Sequence, residues 1–114
     1  MEIEYSELDG GIRLIRLNGE LDLNGTYSIE VQFVRYCEGD HARVLVDLSG
    51  VSHIASVGIP MLVNTAKSVV ERGGKFVLAG AQENVANVLE LVGIPQMVPI
   101  YPDLESAKMG LSSP

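Results

Sequence analysis

The chain has no tryptophan, two phenylalanines, two histidines and a single cysteine among its 114 residues. One cysteine excludes an internal disulfide. Cys37 falls in an apolar run and reads as a buried structural thiol. His41 and His53 lack metal-ligand spacing, and no Cys/His cluster surrounds them, so no metal site is expected. Bases are scarce as well: eight Lys and Arg against fifteen Asp and Glu give a net charge of −7. That balance disfavours nucleic acid or an anionic membrane as a partner. A basic protein surface is the more natural one, although charge of this size also keeps a small domain soluble. No run approaches the roughly 18 apolar residues of a membrane span, so no membrane insertion is expected. The opening MEIEYSELDG is acidic where a signal peptide is basic and then apolar, and the expected compartment is the cytoplasm.

What is present suffices for one core. The chain is 46% hydrophobic but only 5% aromatic, so that core is built of aliphatic side chains. Charged residues, at 20%, are too few for a disordered chain. One domain over residues 1–114 is expected.

Punctuation and periodicity divide the chain. Residues 2–7 alternate as a first strand, and the DGG at 9–11 turns it into a second, IRLIRL at 12–17. NGELDLNG at 18–25 reads as a loop. Residues 26–37 follow a helical period with Tyr27, Val31, Val34 and Cys37 on one face. RVLVDL at 43–48 is a strand covered on both sides, and SGVSHIA leads out of it as a loop. The next helix carries Ile59, Leu62, Val63, Ala66 and Val70 as its inner stripe and stops at Gly73 and Gly74. KFVLAG at 75–80 is a buried strand. Residues 82–93 are helical, with Val85, Val88, Leu89 and Val92 inward and Gly93 as the C-cap. QMVPI at 96–100 is a short strand, placed at an edge by Pro99. DLESAKM at 103–109 is a last helix, and GLSSP a frayed tail. The order β-β-α-β-α-β-α-β-α predicts an α/β domain: a mixed, mostly parallel sheet with an N-terminal hairpin and helices packed on it.

Common catalytic patterns are missing. No G-x-S-x-G elbow occurs, since Ser56 stands in A-S-V-G. There is no P-loop, and no G-x-G-x-x-G follows a strand. Glu20 and Asp22 pair two carboxylates, but strand-loop acids at this spacing are ordinarily solvated. No enzymatic activity and no bound cofactor are expected.

The segment VDLSGVSHIASVGIPML, residues 46–62, poses a question: why a hydroxyl residue at the strand-to-helix junction? Pro60 fixes the helix start, because proline fits only in the first turn. A cap at Val57 or Gly58 places it there. A cap at Ser56 would require Pro60 to donate the first bond. Ser56 therefore sits just ahead of the cap. It either satisfies backbone groups at the helix start or presents its hydroxyl outward.

Several segments together resemble the STAS domain family, of the bacterial anti-sigma factor antagonist type. They are GELD at 19–22, VDLSGVSHI at 46–54, the Ser56, Gly58, Ile59, Leu62 pattern, RGGKFVLAG at 72–80 and VLELVGI at 88–94, in the family's order over roughly residues 3–110. The resemblance implies the STAS fold and a phosphorylation-controlled partner switch. Ser56 matches the serine that a partner kinase phosphorylates, and Asp22 the loop acid beside it. The family's Asp-Ser-Ser/Thr-Gly is here Ala55, Ser56, Val57, Gly58: the acceptor hydroxyl is kept, and what a kinase reads beside it is changed. The implied partner is a serine-kinase anti-sigma factor, which would carry the ATP and Mg²⁺, and whose capture releases a sigma factor or related regulator. Asp22, His53, Val57, Gly58 and Met61 are the expected partner-binding residues, with Ile54 and Met61 alternatively core. Two other readings stay open. One is a non-phosphorylated STAS scaffold or an accessory subunit of a lipid transporter. The other is an enzyme or small-ligand binder using a pocket between Asp22 and Ser56.

Overall fold

A computed structural model describes residues 1–112. Five strands lie in sequence order: β1 (Glu2–Leu8), β2 (Ile12–Leu21), β3 (Arg43–Ile54), β4 (Lys75–Ala79) and β5 (Ile100–Tyr101). β1 and β2 form an antiparallel hairpin with Leu8 opposite Ile12. Its turn at Asp9–Gly11 holds Gly10 at φ 79° and Gly11 at φ 76°, a conformation that favours glycine. The remaining neighbours pair in parallel. The connections are α1 (Leu23–Tyr36), α2 (Gly58–Glu71) and α3 (Glu83–Leu91), and α4 (Leu104–Ser112) closes the described chain.

The sheet divides two cores. Ile15, Leu17, Val44, Val46, Leu48 and Leu78 face one side, where Ile29 and Phe33 of α1, Leu62, Ala66 and Val69 of α2, and Val85 and Leu89 of α3 cover them. Ile12, Leu14, Leu45, Val77 and Ala79 face the other and are covered by Ala107 and Leu111 of α4. Strand alternation thus sorts the side chains of β3 between two layers, which is why the strand reads as one apolar run. On the α4 side Asp47 pairs with Arg16, directly opposite it in register, at 3.3 Å.

The helix ends are held by identifiable groups. Arg72 donates to the carbonyls of Gly39 (3.0 Å) and Cys37 (2.8 Å), and Arg13 to those of Tyr36 (3.1 Å) and Glu38 (2.6 Å). Two cations therefore satisfy the C-terminal carbonyls of α1 and the link to β3. Gly73, at φ 80°, ends α2: its N–H donates to the Val70 carbonyl, and that of Gly74 to Val69.

Several sequence expectations need correction. Residues 18–25 are not a loop: β2 continues to Leu21 and α1 begins at Leu23. The glycines there accommodate a break in register near Gly19, at φ 119°, and a close helix–strand approach. SGVSHI is likewise the second half of β3. In α1 the expected inner face is outside: Tyr27 and Val31 are each 66% exposed, and Ile29 and Phe33 are buried instead. The helix has two apolar faces, and the one bearing Phe33 fills the core. Cys37 is buried as expected. Val70 and Val92, expected inward, are exposed, because α2 buries Met61, Thr65 and Val69 and α3 ends at Leu91. Residues 94–96 form a short 3-10 turn, so β5 keeps only Ile100 and Tyr101. The expected frayed tail is helical through Ser112 with Leu111 buried, while residues 113 and 114 lie outside the described residues.

Candidate functional site

The C-terminal ends of β2 and β3 meet where two helices begin. Leu21 lies opposite Ile54, and one residue later the Ala55 N–H donates to the Leu21 carbonyl at 3.0 Å. That bond ties the turn after β3 to the end of β2. Asp22 follows Leu21, and Ser56 follows Ala55, so the loop acid and the hydroxyl leave the sheet side by side.

Each helix start uses different chemistry. Asp22 is the N-cap of α1, and its carboxylate accepts from the Gly25 N–H at 2.7 Å. Gly25 is required because a Cβ there would overlap the Glu20 carbonyl oxygen. The start of α2 has no side-chain cap. Its N-cap is Val57, at φ −67° and ψ −24°, and the Gly58 N–H donates to the Ala55 carbonyl at 2.9 Å and that of Ile59 to Ser56 at 3.3 Å. Pro60 lies in the first turn, as its missing N–H demands. The Ser56 side chain is not spent on the helix and is exposed. The positive end of the α2 dipole favours a negative charge beside it.

The other predicted residues separate by depth. His53 is exposed and lies opposite Glu20 on β2. Val57 is half-buried. Gly58 is buried, and a Cβ there would crowd the Leu21 carbonyl at 3.2 Å, so it permits the close helix–strand approach. Met61, expected as a docking side chain or as core, is core at 4% exposure, and Ile54 is core at 3%. The cavity of about 320 Å³ at Asp22 is lined by Met1, Glu20, Asn24, Gly25 and Ser28, and Ser56 is not part of that lining.

Two residues that position the site were not foreseen. Gln82, at the start of α3, donates to the Ser49 carbonyl at 2.9 Å, and Asn84 to that of Ser52 at 2.8 Å. These bonds brace the protruding half of β3 that delivers Ser56. No local pattern announces them, because each spans some thirty residues.

Among the described residues no cluster of His, Cys, Asp and Glu is placed to hold a metal ion, and no helix is long and apolar enough to cross a membrane. A largely apolar cavity of about 420 Å³ lies between α2 and residues 97–99, lined by Val63, Val70, Phe76 and Met97.

The sequence profile of the STAS domain matches residues 6–107. A Thermotoga neapolitana protein named as a candidate anti-sigma factor antagonist is 30% identical over 79% of this chain and 80% of its own length. The chain belongs to the STAS domain family. Relatives of this STAS domain are of the anti-sigma factor antagonist type. Its fold matches the crystal structure of a Thermotoga maritima protein described in the same terms, with a TM-score of 0.86 at 24% identity over 97% of this chain and 95% of that one. It also matches the anti-sigma factor antagonist SpoIIAA in its unphosphorylated form, with a TM-score of 0.75 at 17% identity over 96% of each chain. SpoIIAA has been solved in its phosphorylated form as well.

Proposed function

We propose that this STAS domain is an anti-sigma factor antagonist controlled by phosphorylation of Ser56. Unmodified, the surface of Ser56, Asp22, His53 and Val57 docks on a serine-kinase anti-sigma factor, and the regulator held by that kinase is released. Gly58 shapes this surface from beneath, and the buried Met61 supports it. Phosphorylation of Ser56 ends the association. The kinase supplies ATP and Mg²⁺, and this chain contributes the acceptor hydroxyl.

The observation that carries the reading is the exposed Ser56 hydroxyl ahead of an uncapped helix N-terminus. A phosphate adds about −1.5 to −2 charges. The N-terminus of α2 offsets this by roughly 0.3–1 kcal/mol, so the fold accepts the modification without rearrangement. A partner fitted to a neutral hydroxyl does not accept it, because it must desolvate a dianion close to the Asp22 carboxylate. Reversing a population from mostly bound to mostly free takes about 5.5 kcal/mol of differential affinity. A buried, mispaired phosphate is a charge whose desolvation is of that order. The phosphorylated and unphosphorylated forms of the structural relative SpoIIAA support such a switch.

The test incubates the purified chain with ATP and the histidine-kinase-type serine kinase encoded nearest its gene, followed by mass mapping. Modification confined to Ser56 and absent from Ser56→Ala is the expected result. Ala55 and Val57, which replace an acid and a hydroxyl of the family motif, support a second reading: a STAS scaffold or transporter subunit that is never phosphorylated. That reading predicts stable binding with no modification.

A further inference from the structure

The face of α1 turned away from the sheet carries an apolar stripe that the fold leaves unused. Leu23, Tyr27, Val31 and Val34 are 52, 66, 66 and 44% exposed. Their spacing puts them on one side of the helix, as a packing seam requires. At those exposures the four present on the order of 400 Å² of apolar surface, the size of a functional patch rather than of scattered side chains. The stripe starts at Leu23, next to Asp22, and runs roughly 16 Å down α1 from the Ser56 turn. Val34 and Glu30 also form one bank of a groove of about 360 Å³, whose other bank is Met61, Asn64 and Ser68 of α2.

Charge and area narrow the occupant. A second copy is opposed by −7 on each chain. Locally Asp22, Glu30 and Glu38 outnumber Arg35 of α1 and Arg72, which lines the groove. The fitting surface is therefore apolar with basic flanks. A stable interface needs about 800 Å² from each partner, roughly twice what the stripe exposes. The stripe must then act with a neighbouring surface, and the surface contiguous with it is the Ser56 turn.

We propose that the α1 stripe and the α1–α2 groove dock an amphipathic helix with basic flanks, carried by the same partner that engages Ser56. This inference rests on the function proposed above. It adds a second half to the interface, one that does not sense the phosphate. Contacts spread along α1 lead away from Ser56, beyond a Debye length of about 8 Å at physiological salt. They contribute the same binding energy in either state of the switch, not enough to retain the partner once Ser56 carries a phosphate, and they position the kinase while it modifies Ser56.

The test uses the same purified kinase with four proteins: wild type, Val31→Glu, Ser56→Asp and the double variant. Val31 is two-thirds exposed, so its substitution leaves the fold intact, verified by an unchanged thermal midpoint. Val31→Glu is expected to weaken binding at least tenfold, and by the same factor whether it is made in the wild type or in the Ser56→Asp background. It is also expected to raise KM for Ser56 phosphorylation while kcat stays unchanged. Val31→Glu binding within twofold of wild type overturns the inference, and so does a chain that dimerises through α1 in light scattering and becomes monomeric in Val31→Glu. The phosphorylation reading fails separately if Ser56→Asp binds like wild type, whatever Val31→Glu does. A wild type that binds no kinase overturns both.

Discussion

Replacing Gly25 by alanine tests how the junction between β2 and α1 is built. Gly25 has no Cβ to place against the Glu20 carbonyl, and its N–H is the one that the Asp22 carboxylate accepts at 2.7 Å. An added methyl forces the first turn of α1 away from the end of β2. Overpacking of this kind costs about 1–3 kcal/mol. Loss of the Asp22 cap costs about 1 kcal/mol more. Alanine returns up to about 1 kcal/mol, because it is the better helix former. The net expectation is a loss of about 1–3 kcal/mol. For a domain of this size that corresponds to a fall in Tm on the order of 10 °C. Urea unfolding followed by circular dichroism measures the loss, and amide NMR shifts at residues 20–26 and 55–58 show where the strain goes. A Gly25→Ala protein as stable as wild type, with unmoved Asp22 and Ser56 amides, would refute the packing account. The same variant is expected to bind the partner less tightly, since Asp22 leaves the sheet beside Ser56.

Two further outcomes follow from the ends of α1. Arg72→Ala removes the donor to two carbonyls at 3.0 and 2.8 Å and is expected to cost about 1–2 kcal/mol in urea unfolding, whereas Lys67→Ala, on the exposed face of α2, should stay within about 0.5 kcal/mol. Burial pushes the Cys37 thiol from 9.0 up to about 12, outweighing Arg13 and Arg72 nearby, which pull it down. The folded protein should therefore resist thiol alkylation at neutral pH. Its folded pKa is raised, so the stabilising contribution is whole below about pH 9 and falls by up to about 1.4 kcal/mol per unit towards pH 12. Cys37→Ala flattens that slope, and an unchanged slope contradicts the burial account.

The order of all nine major elements is legible in the sequence, because glycine pairs, an edge proline and apolar periodicity are local signals. The start of α2 is legible for the same reason: Pro60 admits few N-caps, and Val57 is one of them. What local signals miss is competition between distant partners. α1 carries two apolar faces, and only the sheet decides that Phe33 goes inward and Tyr27 outward. The second half of β3 looks like a loop because it is rich in glycine and serine. Pairing with β2 and the bonds from Gln82 and Asn84 make it a strand. Asp22 and Ser56 are each recognisable by resemblance. Their adjacency depends on the Leu21–Ala55 hydrogen bond, which joins residues far apart in the chain.

The most direct measurement compares the affinity of the proposed serine-kinase partner for the unmodified chain and for the chain phosphorylated on Ser56. The account predicts a loss on the order of 10²- to 10⁴-fold, with the fold unchanged by circular dichroism. Equal affinities for the two forms would contradict it.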